Sequence, residues 1–278
     1  MIKHWIITGD THGWVETRLS NIYKNMPEYK PEETAVIILG DAGLNFWLNK
    51  TDKKHKRLSS AFGYTIYCVR GNHEERPQKV SGIHPLFDEN VNGMIFQEMD
   101  YPNIRYFQDG GEYTIDGHSA LVIGGAYSID KWYRLKRAEL AGQSFSGWFE
   151  SEQLTHQEMK DIFDKVRGKS YDLILTHTTA LDWEPVDLFL NGIDQSTVDK
   201  SMEVWLNELK DVITWNIWLF GHYHADRLER PHVEQFYTEY EDLASIFSRW
   251  EKYDSGEELD WWLPMSPTMK EIAHGSTT

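Results

Sequence analysis

The sequence is short of cysteine, of basic charge and of long apolar runs, and each shortage excludes something. A single cysteine, Cys68, in 278 residues rules out an internal disulfide. It sits in the apolar run 64–69, which reads as a buried strand, and it fits a reducing compartment, so a cytoplasmic location is expected. Lysine and arginine number 28 against 44 acidic residues, a net charge of −16, so long nucleic acid is not an expected partner. No window approaches the roughly 18 apolar residues of a membrane helix. The first apolar stretch gives way to Gly9-Asp10-Thr11-His12-Gly13, too soon for the apolar core of a signal peptide, so no membrane partner is expected. Internal repeats and low-complexity tracts are absent as well.

What is present is an alternation of short apolar runs and helical patterns. Runs at 5–8, 35–39, 65–69, 173–176 and 217–220 have strand length and are rich in β-branched and aromatic residues. Helical patterns at 16–26 and 50–62 have the length that parallel crossovers require. A second strand-rich patch covers 104–107, 112–115 and 119–123, the last two joined by the hairpin signal Asp116-Gly117-His118. Segments 150–167 and 195–209 read as amphipathic helices. The expected fold class is α/β, a sandwich of two mixed sheets flanked by helices. Residues 1–225 form the expected catalytic domain, and residues 226–278 an acidic, aromatic extension packed on it or capping it. Trp261 and Trp262 in that extension offer a surface for a homodimer.

The chemistry lies at the ends of the five main strands. These are followed by Gly9-Asp10-Thr11-His12-Gly13, Gly40-Asp41, Gly71-Asn72-His73-Glu74, His177 and Gly221-His222-Tyr223-His224. In open α/β sheets ligands bind beyond the carboxyl ends of strands, so five strand ends aim ligand-type side chains at one crevice. With 12 histidines in the chain, His-x-His alone is expected about half a time by chance. Five elements in this order, each capping an apolar run, are not explained that way. Mixed imidazole, carboxylate and amide donors without a thiolate suit Mn²⁺, Fe or Zn²⁺ better than Ca²⁺, and Mn²⁺ is the first choice.

The order Asp-x-His, Gly-Asp, Gly-Asn-His-Glu, His, Gly-His-x-His resembles the calcineurin-like metallophosphoesterase superfamily over residues 5 to about 225, in particular its small prokaryotic or phage-type members. The resemblance implies one metal ion on Asp10, His12 and His224, a second on Asn72, His177 and His222, and Asp41 bridging both. Two such ions about 3.5–4 Å apart activate a water to hydroxide and clamp a phosphoryl group. His73 is then the candidate proton donor, and Arg70, in Arg-Gly-Asn-His-Glu, the candidate phosphate contact. The implied activity is hydrolysis of a phosphomonoester or phosphodiester; the family spans many substrates, and the acidic charge and the incomplete protein-phosphatase signature make a nucleotide or similar small phosphoester the expected one. A nuclease and a non-catalytic metal-binding scaffold are the alternatives.

The chain departs from the family at Gly40-Asp41-Ala42-Gly43-Leu44-Asn45, where many members carry a second aspartate in the place of Leu44 to orient the histidine equivalent to His73. Asn45, Glu74 or another group has to replace it. The arginine that follows in Ser/Thr protein phosphatases is absent too, so that class is not expected. Asp130 and Arg134, after the strand at 119–123, are candidates for the substrate rim, or else mark a helix start. Trp47 is a candidate for stacking on a planar group. The remaining histidines, at 4, 55, 84, 118, 156, 232 and 274, have no motif context.

Overall fold

A computed structural model describes the chain except for residues 1, 190, 191, 193, 258–262 and 276–278. Trp261 and Trp262, the expected homodimer surface, lie outside the described residues. The strands are β1 His4–Thr8, β2 Thr34–Ile38, β3 Thr65–Cys68, β4 Ile83–Asp88, β5 Gly93–Glu98, β6 Ile104–Phe107, β7 Gly111–Ile115, β8 His118–Ile123, β9 Ser170–Thr176, β10 Thr214–Phe220, β11 Arg227–Arg230, β12 Val233–Gln235 and β13 Tyr240–Asp242. The helices are α1 Val15–Asn25, α2 Lys50–Ser60, α3 Lys131–Ala141, α4 His156–Val166, α5 Ser201–Lys210, α6 Leu243–Asp254 and α7 Pro267–Gly275.

Period-two side-chain alternation assembles these elements into layers. Trp5, Ile7, Ala35 and Ile37 from one sheet meet Val122, Leu173, Leu175, Ile217 and Leu219 from the other in a shared core. The opposite faces are apolar too. Ile6, Val36, Ile38 and Ile66 pack against Val15, Leu19 and Ile22 of α1. Leu121, Ile174, Trp218 and Phe220 pack against α4 and α5 through Met159, Ile162, Met202 and Leu206. Strands buried on both faces read as continuous apolar runs, which is why β2 and β10 stood out in the sequence.

The result is the sandwich of two mixed sheets flanked by helices that the sequence implies. One sheet runs β13-β1-β2-β3-β6-β5-β4, the other β11-β12-β10-β9-β8-β7. In the first, β1, β2, β3 and β6 are parallel; in the second, β8, β9, β10 and β12 are parallel. Residues beyond 226 extend both sheets, since β12 pairs with β10 and β13 with β1, while α6 lies on the shared core. Arg249 of α6 locks the two sheets together by donating 2.7 and 2.8 Å hydrogen bonds to the buried Glu234 of β12 and a 2.8 Å bond to Glu241 of β13. Among the described residues, no helix is long and apolar enough to cross a membrane.

Two helices start later than the hydrophobic pattern predicts. Helix α4 begins at His156 because Thr155 and Glu158 form a reciprocal capping box, and the carbonyls of Ser151, Glu152 and Gln153 are used by arginines instead. Helix α5 begins at Ser201, because Asp194 accepts the Ser196 N–H and closes a separate turn over Gln195–Thr197.

Candidate metal centre

The five parallel strands β1, β2, β3, β9 and β10 end on one side of the sandwich, and the turns that leave them are tight. His12, Asp41, His222 and His224 all adopt the left-handed backbone region, with φ of 45°, 47°, 68° and 53°. For residues other than glycine this conformation is unfavourable and needs a surrounding structure that imposes it, and such outliers gather at functional sites. Two glycines leave room for the crowding. A Cβ on Gly40, at φ +99°, would lie 2.0 Å from His177 Nδ1, and one on Gly71 would lie 1.9 Å from Asp41 Oδ1.

Ligand atoms converge in two groups. In the first, His12 Nε2 and His224 Nε2 are 2.9 Å apart and lie 3.9 and 3.3 Å from Asp10 Oδ2. That carboxylate oxygen is buried and has no hydrogen-bond partner. An unpaired buried oxygen facing two imidazole nitrogens is a donor set without its acceptor, and a divalent ion supplies one. In the second, His177 Nε2 lies 2.8 Å from Asn72 Oδ1, and the His177 and His222 rings are 5.0 Å apart. The other nitrogen, His177 Nδ1, is 2.8 Å from the Leu39 carbonyl, which fixes the ring.

Asp41 spans the two groups. Its Oδ2 is 3.8 Å from His12 Nδ1, and its Oδ1 is 3.8 Å from His177 Nε2 and accepts the His73 backbone N–H at 2.8 Å. Burial pushes the Asp41 carboxyl up, but His177, His73 and His12 outweigh it and hold the group well below the carboxylate range. Asp10 also approaches the second group, with Oδ1 3.9 Å from His177 Nδ1 and accepting the His222 N–H at 3.1 Å. All seven residues expected as ligands therefore meet at this crevice, and the donor set fits divalent metal.

His73 stands beside them, with Nε2 3.2 Å from Asn72 Nδ2 and 4.0 Å from Asp41 Oδ2. Burial lowers its pKa, with Arg134 acting in the same direction and Asp41 and Asp130 opposing. Its Nδ1 is buried and unpaired. The position of the family's second aspartate offers it nothing, because Leu44 is fully buried in the apolar cluster under α1. Neither suggested substitute takes that place. Glu74 accepts the Gly71 N–H at 2.9 Å, and burial raises its pKa to about 8. The Asn45 amide is buried without a partner, and neither residue lines the metal cavity.

The expectation for Arg70 is corrected. It does not line the cavity, and its guanidinium is spent on the protein itself. Nε donates to Asp109 at 2.9 Å, Nη1 to the Glu152 and Ser151 carbonyls at 2.7 and 3.3 Å, and Nη2 to the Gly124 carbonyl at 3.0 Å. A fork committed to four acceptors has no face left for phosphate. Arg134 does reach the cavity. Its Nε donates to Asp130 at 2.7 Å and its Nη1 to the Gly147 carbonyl at 3.0 Å, and Asp130 lines the cavity with it.

The cavity measures about 830 Å³ and contains His12, Asp41, Asn72, His73, His222 and His224 in its wall. Trp47 lines it as the sequence suggests, as do Trp14, Phe46, Tyr127, Phe189 and Tyr223, which sequence reasoning missed. Ser128, whose Oγ accepts from Asn72 Nδ2 at 2.8 Å, was missed too. The available signal was position, since all of these residues but Phe189 sit within six places of a ligand motif or a strand end.

No curated protein matches the chain. The family model for calcineurin-like phosphoesterases matches residues 4–226, from β1 to just beyond the His222 and His224 turn. With that match covering most of the chain, the protein belongs to the calcineurin-like phosphoesterase family.

Proposed function

We propose that this protein hydrolyses a small phosphoester of nucleotide size with two divalent transition-metal ions, manganese being the first choice and iron or zinc the alternatives. One observation carries the reading: Asp41 turns one carboxylate oxygen to His12 and the other to His177, so a single side chain serves both ligand groups. Two ions held there supply an activated water and an electrostatic clamp on the phosphoryl oxygens.

The chain's own groups do the rest. Asp10, His12 and His224 hold one ion, and Asn72, His177 and His222 the other. The buried Leu39 carbonyl and the Ser128 hydroxyl orient two of these ligands by taking their remaining donors. His73, half-buried at the cavity wall, is the group placed to give a proton to the leaving oxygen. Arg134, anchored through Nε and Nη1, keeps Nη2 for a phosphoryl oxygen.

Elemental analysis of the purified protein tests this, joined to turnover of chromogenic mono- and diesters after chelation and metal re-addition. Close to two ions per chain and activity restored by one of the three metals are expected. No bound metal and no rescue would leave a scaffold of this fold without the reaction.

A further inference from the structure

The cavity is far larger than a phosphoryl group needs, and the excess is walled with rings. Four of the rings come from turns that carry metal ligands, and Phe189, twelve residues beyond His177, stands against one of them. Trp14 follows His12-Gly13, Phe46 and Trp47 follow Asp41 by five and six residues, and Tyr223 separates His222 from His224. The turns that build the metal groups therefore also deliver the rings beside them. Trp14 is 68% exposed and Trp47 49%, although both line a cavity. Large apolar rings left wet at the mouth of a site mark where a ligand covers them.

These rings are braced. Phe46 meets Trp47 edge-on at 4.8 Å and is backed by Phe145 and Phe149 at 5.6 and 6.1 Å. On the other side Phe189 and Tyr223 lie nearly parallel, 15° apart at 6.2 Å, with Tyr223 edge-on to His222 at 4.8 Å. Charge in this region is already paired. Arg134 is bound to Asp130, and Glu184 is bound at 2.7 Å by Lys200, whose ammonium sits over Phe189. Glu203 accepts from Thr178 at 2.6 Å. Among the described lining residues, Arg134 is the one cation apart from the histidines.

We propose that the substrate carries a flat, aromatic and uncharged group beside a single phosphate, and that the Trp14, Phe46, Trp47, Tyr223 and Phe189 rings bind it. This rests on the phosphoester reading above. An alkyl ester would leave the rings wet. A second anionic group would enter a region whose one lining cation besides the histidines, Arg134, already serves Asp130 and the phosphate, at the cost of its hydration. Stacking of one planar group on such rings is worth about 1–3 kcal/mol, or roughly five- to 150-fold in affinity.

Calorimetry with phosphonates tests this, because a phosphonate has no ester bond to cleave and binding is read apart from turnover. The full chain, loaded with Mn²⁺, is titrated with phenylphosphonate, methylphosphonate and 4-carboxyphenylphosphonate. Phenylphosphonate is expected to bind at least tenfold tighter than either of the others, and Trp47→Ala and Trp14→Ala to narrow that gap by fivefold or more. Equal affinity for phenyl- and methylphosphonate, or tighter binding of the carboxylated ring, overturns the proposal alone. Failure of all three to bind overturns it together with the phosphoester reading.

Discussion

Asn72 spreads its amide over three neighbours: Nδ2 donates to Ser128 Oγ at 2.8 Å and lies 3.2 Å from His73 Nε2, and Oδ1 lies 2.8 Å from His177 Nε2. The division decides which amide atom faces the ligand group, because only the oxygen has lone pairs for a metal. Ser128 is in turn set against the buried Glu152, whose carboxyl is raised by burial and lowered by hydrogen bonding from Ser128. The backbone on either side is pinned by Arg70, which holds the carbonyls of Gly124 and Glu152.

Removing that hydroxyl should therefore weaken metal binding without unfolding the protein. Ser128→Ala is expected to lower affinity for one of two Mn²⁺ ions by about 10–100-fold, the usual effect of losing a group that orients a ligand. Ser128→Thr, which keeps the oxygen, should recover most of it. Calorimetric Mn²⁺ titration checks both, and unchanged binding in Ser128→Ala would show that the amide is held some other way.

Asp41 and His73 should separate binding from chemistry. Asp41→Asn removes the carboxylate that serves both groups, so metal content should fall below two and turnover by about a thousandfold or more. His73→Ala should keep both ions and lose about 10²–10⁴-fold in turnover, with the smallest loss on esters whose leaving group needs no proton. Elemental analysis beside a leaving-group series distinguishes them. Wild-type rates in His73→Ala on poor leaving groups would move proton donation to another residue.

The seven ligands were legible in the sequence because each follows an apolar run at a glycine or a strand end, and topology alone brings parallel strand ends together. Side-chain direction was not. Arg70 adjoins Gly71 and Asn72 in sequence, but its guanidinium is drawn to Asp109 and three carbonyls on the far side of the turn. The β4–β5 hairpin was missed because its edge strand, His84-Pro85-Leu86-Phe87, is mostly exposed and carries a proline that only an edge tolerates. Strands β11 to β13 were missed because Arg227, Glu229, Glu234 and Asp242 are buried in them, where the pattern calls for apolar residues. Partners distant in sequence make this burial tolerable, as with Asp187 for Arg227 and Arg249 for Glu234.

Leu44 gives a prediction against the family's pattern. Its side chain is fully buried beside Val15, Leu19, Ile38 and Cys68, so a carboxylate placed there would lose its hydration among apolar atoms. Leu44→Asp is expected to destabilise the fold by about 3–5 kcal/mol and to leave turnover no higher than wild type. Thermal melts and initial rates check it. A variant that melts with wild type and turns over faster would mean that the new carboxylate reaches the unpaired Nδ1 of His73.

Glu203 gives the stability a pH dependence that can be assigned to one residue. Its carboxyl is buried, accepts from Thr178, and is pushed up to about 7 by burial, with the nearby charge of Glu184 adding to the effect. The unfolded chain releases that proton near 4.5, so between these values the folded state holds the proton and the unfolded state does not. The contribution of Glu203 to stability is therefore fully present below the unfolded pKa and is lost as pH rises through about 7. Glu203→Gln keeps the shape and a donor while removing the titration. The variant should match wild type at pH 4.5 and exceed it at pH 8 by on the order of 1–3 kcal/mol. Urea unfolding of both proteins at the two pH values reads the difference directly. A constant gap across that range would mean that the carboxyl is already ionised in the folded protein at low pH, and that the Thr178 hydroxyl, itself 3.1 Å from the Tyr223 hydroxyl, solvates its charge.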